Sequence, residues 1–534
     1  MRHSFWIFLM AALAWSANDA IAAPPQIGAG LAQRRLTLEQ AVELAIRANL
    51  DVAIERLNVD AADEAIRAAS GSFDPVVRWQ PSLGNFNTPV ASVLQGSSGV
   101  LNQHSSGQIL ALRQKTGWNG LELDAEFSNN RVTSTDPFQS LSPFYSSQLS
   151  FTVTQPLMRG RQIDGERAQI RIRSKERDAS TAQLEIKAIE VITRVKQVYW
   201  DLVAACRQSE VAAEAVDLAK VQREQIRRMI EAGALPAVEL SAAEAEFQSR
   251  LDDLYRCAGA VAEFENSLKT LLAHDRLESL WNEEIVPADS GAVAPPAAIE
   301  IKEAMDQALR LRPELRVIEA ERAVVRVQTK QDGDLVKPQI NLVASYSLAG
   351  LAGSVRPGVN PLAPFLPAPT LLPGLHAGGL GSSLSSLFGG DCRSVQAGIT
   401  FVFTGRNWTA QANLAADAIA EKRLEFTRLR TEQIIQAQVR NAFQALDTAA
   451  QRMQAAEAST KAALVKLDSE SRLFAIGEST NFMVLTRQNE YSAARRRQVD
   501  GEAAFNKAVA QYEAALGTTL ALSGMHVEWD SGRR

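Results

Sequence analysis

The residue types that most often perform chemistry are few in this chain and lie far apart. Its histidines and cysteines include no pair at the spacing of metal ligands or of a redox dithiol. They are His3, His104, His274, His376, His526, Cys206, Cys257 and Cys392. The chain contains neither a phosphate-binding loop nor a nucleophile elbow. We therefore expect no enzyme activity, no cofactor and no metal site.

The charge of the chain argues against a nucleic-acid partner. Its 534 residues include 56 Lys and Arg against 61 Asp and Glu, a net charge of -5. Binding nucleic-acid phosphates requires a basic surplus or a concentrated basic patch. The chain offers only short basic runs such as 495–497.

The first 23 residues have the composition of a cleavable secretory signal. Arg2 precedes an apolar run at positions 5–15, and small residues follow in Ala20-Ile21-Ala22. We expect the mature chain to begin at about Ala23. The apolar run is shorter than the roughly 20 residues of a spanning helix, and no later segment reaches that length. These features predict export without a transmembrane helix. A lipid anchor at the mature N-terminus is not supported, because no cysteine follows the cleavage site.

An internal repeat divides the chain into two similar halves. The matched residues are Leu38, Ala41, Ala45 and Arg47 with Ile301, Ala304, Ala308 and Arg310, then Arg228, Gly233 and Glu246 with Arg472, Gly477 and Glu490. The distance between matched residues shrinks along the chain, so the first half has the longer insert. We expect a first repeat at 24–273, an equatorial linker at 274–300, a second repeat at 301–517 and a tail at 518–534.

Each repeat predicts short helices, strands, one long helix, a sharp turn and a returning helix. The predicted helices lie at 37–71, 163–233 and 236–273, then at 301–332, 408–476 and 480–516. Coiled-coil spacing relates Val439, Ala442, Leu446 and Ala449. This spacing alone is equally typical of an ordinary long coiled coil with no special function. Gly233 and Gly477 suit left-handed helix caps, so each returning helix must be antiparallel to its long helix.

Segments of alternating polarity predict strands within 74–156 and 338–403. Leu342, Ala344 and Tyr346, for example, alternate with polar residues. The first insert adds a candidate hairpin at about 108–128 that turns at 117–120. Alternation is also typical of a half-buried sheet in a soluble domain. The segment 351–391, rich in Gly, Pro, Ser and Leu, predicts a long external loop and favours strands in an outer membrane.

One copy of the chain has too few strands to close a membrane barrel. Unpaired strand edges in hydrocarbon cost several kcal/mol per group, and bacterial barrels begin at eight strands. The sequence predicts four clear strands and one further pair. If these strands span a membrane, several copies must pool them, and the long helices of the same assembly can form a hollow cylinder. The predicted fold class is α+β, mainly α.

The order of these features resembles the TolC-like outer-membrane efflux family over essentially the whole mature chain. The similar segments are the turns 228–233 and 472–477, Ser479-Thr480-Asn481-Phe482-Met483-Val484-Leu485, Leu36-Thr37-Leu38-Glu39-Gln40-Ala41 and Arg312-Pro313-Glu314-Leu315. The resemblance implies a homotrimer with a 12-stranded barrel in outer-membrane lipid, a periplasmic α-helical barrel, and an equatorial belt formed by residues near 274–300 and the C-terminal tail. It also implies a passive exit duct for efflux or type I secretion. An inner-membrane pump of the RND or ABC type would drive it through a periplasmic adaptor. The candidate hairpin departs from the implied strand count.

The resemblance further implies a periplasmic entrance near the two turns. Positions that are acidic in the best-known family member correspond here to Met483 and Thr486, and in the first repeat to Glu239 and Ala242. Only Glu239 could form an acidic ring, which would attract cations. A solvated acid in the first turn of a helix is the alternative for Glu239.

We expect the two turns to form adaptor-docking tips. The residues are Arg228, Gly233, Ala234, Arg472, Gly477, Glu478 and Ser479. For Arg228 and Arg472, a favourable interaction with the helix dipole is the alternative. Ser479 is also positioned to cap the returning helix.

The rival interpretation is a periplasmic coiled-coil scaffold or adaptor without a membrane-spanning barrel. An adaptor would have one helical hairpin with compact β modules around it. This sequence instead predicts two hairpins with amphipathic strands at matching positions, which favours the duct.

Overall fold

The computed structural model describes residues 32–92, 99–233, 235–274, 279–296, 299–356 and 377–524. The predicted signal at 1–23, Ala234, positions 357–376 of the predicted external loop and positions 525–534 of the predicted tail lie outside the described residues. The chain divides into two compact units. The first holds the described parts of Met1–Ile54, Glu185–Arg312 and Gln433–Arg534, and the second holds those of Glu55–Leu184 and Pro313–Glu432.

Helices dominate the chain and occur in the predicted order. They are α1 Leu38–Ala48, α2 Leu50–Ser70, α3 Gly165–Glu231, α4 Val238–Leu272, α5 Ile301–Leu311, α6 Pro313–Leu335, α7 Leu380–Gly389, α8 Trp408–Ala475, α9 Asn481–Leu516 and α10 Thr519–Leu522. The long helices α3 and α8 and the returning helices α4 and α9 begin and end within two residues of the predicted bounds. None of the helices in the described ranges is both long and apolar enough to cross a membrane.

The predicted helical segments 37–71 and 301–332 are each divided into two helices. Pro313 is the first residue of α6, where its missing amide hydrogen costs no helical bond. The first repeat has no proline at this place and uses Asn49 instead. The Asn49 side-chain oxygen accepts hydrogen bonds from the amides of Asp51 at 3.0 Å and Val52 at 3.3 Å, so Asn49 caps α2.

In the first unit, α9 packs against α3 along a seam of small apolar residues. Ala204, Val499 and Ala503 form one buried cluster there. Ion pairs flank the seam, with Nζ–O distances of 2.6 Å for both Lys196–Glu513 and Lys507–Asp201. Because small side chains let the two backbones approach closely, longer charged side chains can pair across the seam on either side.

A short parallel sheet in the first unit was not predicted from the sequence. It pairs β1 Ala32–Leu36 with β6 Glu283–Pro287, which lies in the predicted linker. Tyr199 on α3 holds this region, because its buried hydroxyl donates to the Leu36 carbonyl oxygen at 3.0 Å and contacts Asp289 Oδ2 at 2.7 Å. The linker is thus tied to a long helix.

A buried ion pair on α4 supports the same sheet. Lys269 Nζ lies 2.7 Å from Glu265 Oε1, and both side chains are only 4% exposed. The same carboxylate oxygen accepts the amide hydrogen of Ile285 at 3.0 Å. Glu265 therefore links α4 to β6, while Lys269 neutralises its charge.

The second unit contains one antiparallel six-stranded sheet. Its strands are β2 Val76–Pro89, β3 Val100–Lys115, β4 Glu122–Ser134, β5 Leu141–Pro156, β7 Gln339–Val355 and β8 Cys392–Val402, and they are hydrogen-bonded in this order. The candidate hairpin predicted at 108–128 is part of this sheet, as β3 and β4. Both strands are longer than predicted, because pairing with β2 and β5 extends them.

The two faces of this sheet differ in polarity. One face carries Val77, Trp79, Leu110, Phe151, Tyr346, Val395 and Phe401, all exposed. The other face carries a row of direct cross-strand neighbours that is mostly polar, namely Val76, Arg113, Asp124, Thr152, Ser345 and Gln396. The alternation read from the sequence therefore extends across the whole sheet.

The prediction of a long loop at 351–391 is wrong in part. Residues 380–389 form α7, and β7 extends to Val355. α7 packs on the apolar face of the sheet at Gly350, where an added Cβ would lie 2.1 Å from the Ser383 carbonyl oxygen. The buried Ser383 hydroxyl donates to the Gly350 carbonyl oxygen at 3.1 Å and lies 2.8 Å from Ser147 Oγ. Serines that look like loop residues in the sequence thus bond to the sheet.

We expect Lys269→Met to lower the free energy of unfolding by about 3–5 kcal/mol, because it leaves the Glu265 charge buried without its partner. The measurement is urea unfolding of the purified protein followed by helical circular dichroism. Lys461→Met is the matched control, since Lys461 forms an exposed pair with Glu457, and its midpoint should not move. The double variant Glu265→Gln/Lys269→Met should recover most of the loss, and equal effects of the two single variants would contradict the assignment.

Candidate functional site

The two turns between long and returning helices have the same backbone geometry. Gly233 and Gly477 have φ angles of 77° and 83°, the left-handed conformation that the sequence predicts. Their amides donate to the carbonyl oxygens of Ile230 at 2.9 Å and Phe474 at 3.1 Å. Among the described residues other than the immediate chain neighbours, no heavy atom lies within 4 Å of where a Cβ would stand at either glycine. The backbone conformation alone therefore favours glycine here.

Both predicted arginines lie in the last turn of a long helix and are exposed. Arg472 Nη2 lies 2.7 Å from Asp468 Oδ2 one turn earlier, with side chains 79% and 59% exposed. The carbonyl oxygen of Arg228 accepts the amide hydrogen of Ala232 at 3.0 Å. The charges of both arginines thus remain at the surface, near helix C-termini where cations are favourable.

Ser479 does not cap the returning helix as predicted. The N-cap of α9 is Thr480, and its side chain makes no capping hydrogen bond. Ser479 instead donates its hydroxyl hydrogen to the Glu470 carboxylate on α8. The Glu478 amide donates to the Leu473 carbonyl oxygen at 3.0 Å, which closes the turn and directs Ser479 back toward the long helix. The neighbouring predicted residue Ala234 lies outside the described residues.

A polar network joins three helices beside these turns. Gln222 on α3 donates from Nε2 to Asn481 Oδ1 at 2.7 Å, and both residues are buried. Asn481 at the start of α9 donates from Nδ2 to Glu239 Oε2 on α4 at 3.4 Å. Glu239 is half-buried rather than fully solvated. The network connects the two hairpins through one side-chain amide.

The other two predicted entrance residues do not join this network. Met483 is half-buried on α9. Thr486 donates its hydroxyl hydrogen to the Phe482 carbonyl oxygen of its own helix at 2.8 Å. Arg487, which the sequence analysis did not identify, lies 2.9 Å from Glu490 Oε1 and 3.7 Å from Glu470 Oε2. The second hairpin therefore contributes the arginine Arg487 beside these turns, where it lies close to two carboxylates.

The first hairpin is also held by charge and an aromatic ring. Arg223 Nη1 on α3 lies 3.1 Å from Glu244 Oε2 on α4, and its guanidinium carbon lies 4.5 Å from the centre of the Phe247 ring. Hydrogen bonds from Gln248 and Arg223 lower the pKa of Glu244. This carboxylate therefore stays ionised over the neutral range and keeps α3 and α4 together.

These contacts can hold helices in register and can also be exchanged. Each is a hydrogen bond or ion pair at least partly accessible to water, apart from the buried Gln222–Asn481 bond, so each is individually weak. Among the described residues, no group of His, Cys, Asp and Glu side chains is arranged to hold a metal ion. The arrangement suits a breakable junction between helices.

The sequence model of a family described as outer membrane efflux protein matches residues 120–274 and 304–518. A search of curated proteins finds no significant match.

Solved outer-membrane channels have a similar fold. The CmeC channel of Campylobacter jejuni superposes with a TM-score of 0.61 at 15% identity, covering 90% of this chain and 86% of that chain. VceC of Vibrio cholerae gives a TM-score of 0.59 at 13% identity, with 90% and 96% covered. The open state of MtrE of Neisseria gonorrhoeae gives 0.58 at 16% identity, with 90% and 89% covered. At these identities the likeness concerns the fold.

We expect Asn481→Ala to loosen both turns, because it leaves the buried Gln222 amide without its acceptor. Unsatisfied buried groups of this kind cost about 1–3 kcal/mol. Hydrogen exchange measured by mass spectrometry should become faster by roughly tenfold or more in segments 222–233 and 478–486. Gln451→Ala removes an exposed amide that bonds to Asp447 of its own helix and should leave both segments unchanged. Equal exchange in the two variants would contradict a linking role for Asn481.

Proposed function

The chain belongs to the outer membrane efflux protein family, and from this we propose that it forms the outer-membrane exit duct of a tripartite efflux or type I secretion system. The family match spans more than half of the chain and agrees with the resemblance predicted from its sequence. In this proposal the protein is a passive conduit rather than an enzyme, and it needs no cofactor and no nucleic acid. It lies in the outer membrane with a long periplasmic extension.

The observation that carries the proposal is the exposed apolar face of the six-stranded sheet. Trp79, Val395 and Phe401 on this face are 66%, 77% and 70% exposed. A soluble sheet would cover such a face with other elements. Lipid acyl chains are the environment that this face suits, while the polar face suits a water-filled lumen.

The open edges of the sheet support assembly from several copies. Among the described residues, strands β2 and β8 each pair with one neighbouring strand, and their free backbone groups need partners inside a membrane. We assign a homotrimer, as the family resemblance implies. The same assembly would pack the long helices into a periplasmic α-helical barrel.

Exposed apolar residues on α8 support this helical barrel. Ile434, Leu464 and Val465 are 48%, 49% and 70% exposed. Large apolar side chains repeated along one long helix favour contact with further helices. The neighbouring copies of the trimer would supply them.

The junction around Asn481 suits a gate at the periplasmic entrance. Glu239, Met483 and Thr486 lie in the first turns of the two returning helices, and Glu239 is the carboxylate that would face cations there. The exposed turns, with Arg228, Gly233 and Ala234 in the first and Arg472, Gly477, Glu478 and Ser479 in the second, would dock a periplasmic adaptor. The adaptor would couple the duct to an inner-membrane pump of the RND or ABC type.

Fractionation of cells that express the tagged full-length protein tests location and assembly. We expect recovery with the outer membrane and, after extraction in a mild detergent, a native mass equal to three chains. The physical reason is that the apolar face needs lipid and the strand edges need partners. A soluble periplasmic monomer or dimer would refute the duct and favour the coiled-coil scaffold.

Single-channel recording in planar bilayers tests the gate. We expect the native protein to conduct weakly, and Asn481→Ala to raise its conductance severalfold, because the hairpins lose the bond that joins them. Gln451→Ala serves as the control and should conduct as the native protein does. If Asn481→Ala left the conductance unchanged while loosening the turns, the Gln222–Asn481–Glu239 network would not be the gate.

A further inference from the structure

Each chain contributes more strands than the resemblance implies. A 12-stranded trimeric barrel takes four strands from each copy, whereas the described sheet has six in one continuous order. We propose that the assembled barrel has 18 strands, with β2 of one copy paired to β8 of the next. This inference rests on the proposed trimeric duct and deepens it, because strand number determines the width of the exit pore.

The additional strands are firmly joined to the rest of the sheet. Pairing between β2 and β3 runs without interruption from Val76↔Arg113 to Pro89↔Val100, and that between β3 and β4 from Gln103↔Ser134 to Lys115↔Glu122. Both ladders extend over the full length of at least one of their strands. β2 and β3 therefore continue the wall formed by the other four strands.

Side chains on the polar face reinforce these ladders. Arg113 Nε on β3 lies 3.6 Å from Asp124 Oδ1 on β4, and Arg78 Nη2 on β2 lies 3.9 Å from Glu126 Oε2 on β4. Glu122 also forms an ion pair with Arg113. These charges would line the lumen, where water can solvate them.

The turn between β3 and β4 is anchored at the end of the sheet where the strands connect to the helices. Gly120 has a φ of 71°, and a Cβ there would lie 2.5 Å from the Gly160 carbonyl oxygen. Gln155 Nε2 donates to the Asn119 carbonyl oxygen at 3.0 Å. Lys115 also pairs with Glu166 at the start of α3, and its hydrogen bond lowers the pKa of that carboxyl. These contacts hold the hairpin against the connection between β5 and α3.

The stagger of the strands supports a single barrel wall. The straight row of cross-strand neighbours defined above begins at Val76, the first residue of β2. It ends at Gln396, six residues before Val402, the last residue of β8. Suppose that the strand ends nearest the helices lie at one level. The row then shifts by six residues along the strands while crossing five strand spacings, which corresponds to a strand tilt of about 40° from the barrel axis. Closed barrels have tilts of about 35–45°.

Strands β3 and β4, which form the hairpin at 108–128, share this inclination. Arg113 lies two residues before the end of β3, Asp124 two after the start of β4, and Thr152 four before the end of β5. The offset thus grows steadily from β2 to β8. A hairpin folded away from the wall would not follow the same progression.

The two edge strands meet the requirements for pairing between copies. Because the number of strands is even, β2 and β8 run in opposite directions, as an antiparallel junction needs. Every residue of β8 and all but one of β2 are exposed, whereas the inner strands are half-buried along much of their length. Pro81 and Pro89 lack amide hydrogens, and the other residues of β2 retain theirs. At equal tilt, 18 strands give a barrel about 1.5 times as wide as 12.

Disulfide cross-linking in the outer membrane tests which strand meets β8 of the next copy. In a background with Cys206, Cys257 and Cys392 replaced by serine, Ser82→Cys is combined with Gln396→Cys or with Gly398→Cys. These are the two registers that continue the observed stagger with both side chains on the polar face. The comparison combines Ser128→Cys on β4 with the same two β8 substitutions, which is where a 12-stranded barrel would close.

An 18-stranded barrel predicts that mild oxidation converts most of one Ser82→Cys pair into covalent dimers and trimers on non-reducing gels. The Ser128→Cys pairs and each single cysteine variant should remain monomeric. Within one chain, both pairs are separated by at least three strand spacings, about 14 Å, too far for a disulfide. Any disulfide that forms between the two introduced cysteines therefore joins two copies of the chain.

The other outcomes separate the two proposals. Links through Ser128→Cys instead of Ser82→Cys would overturn the 18-stranded barrel and leave the duct intact. The absence of links in a stable outer-membrane trimer would also overturn it. A protein that forms no membrane trimer would refute the duct itself.

Electron cryo-microscopy of the native trimer gives an independent count that needs no cysteine variant. A cross-section through the barrel should contain 18 strands. A count of 12 would overturn the inference even if the cysteine variants failed to assemble.

Discussion

The structure depends on one requirement, that the backbone amides and carbonyls of every strand find hydrogen-bond partners. Within the described part of the chain, each inner strand of the sheet satisfies this need on both sides, and β2 and β8 satisfy it on one side. In water the free edges can be hydrated, but beside lipid they cannot. Beside lipid, a sheet with an apolar, exposed face would therefore need other copies of itself. In the proposed barrel, assembly and the width of the pore would follow from how these two edges meet.

The long helices need packing partners for their side chains rather than hydrogen-bond partners for their backbone. An α-helix satisfies its own backbone bonds, so what remains is to cover its apolar stripe. Small residues such as Ala204 and Ala503 bring α3 and α9 close together, and the pairs Lys196–Glu513 and Lys507–Asp201 align them. Apolar residues left exposed on α8 correspond to the open sheet edges. In the proposed assembly, neighbouring copies would cover both.

Two kinds of polar contact have different roles in the first unit. The Lys269–Glu265 pair is almost fully buried and joins α4 to β6, so its loss would leave a charge without water. Apart from the buried Gln222–Asn481 bond, the contacts beside the turns are partly exposed to water and weaker, such as the 3.4 Å hydrogen bond between Asn481 and Glu239. The proposed duct would benefit from this difference, since the region around the Lys269–Glu265 pair could remain folded while the turns separate.

The sequence by itself determined the elements whose signal is local. Coiled-coil spacing indicated long helices, Gly233 and Gly477 predicted their ends, and period-two alternation predicted the amphipathic strands. Tertiary structure decided what depends on distant partners. The pairing of β1 with β6, the serine-rich helix α7 and the Gln222–Asn481 bond join residues far apart in the chain. Asn481 stood within a recognised turn motif, but nothing local to Gln222 marked it as its partner. The register that staggers six strands within one sheet is likewise a property of neighbouring strands, because a strand's own sequence defines its faces and not its offset from the next.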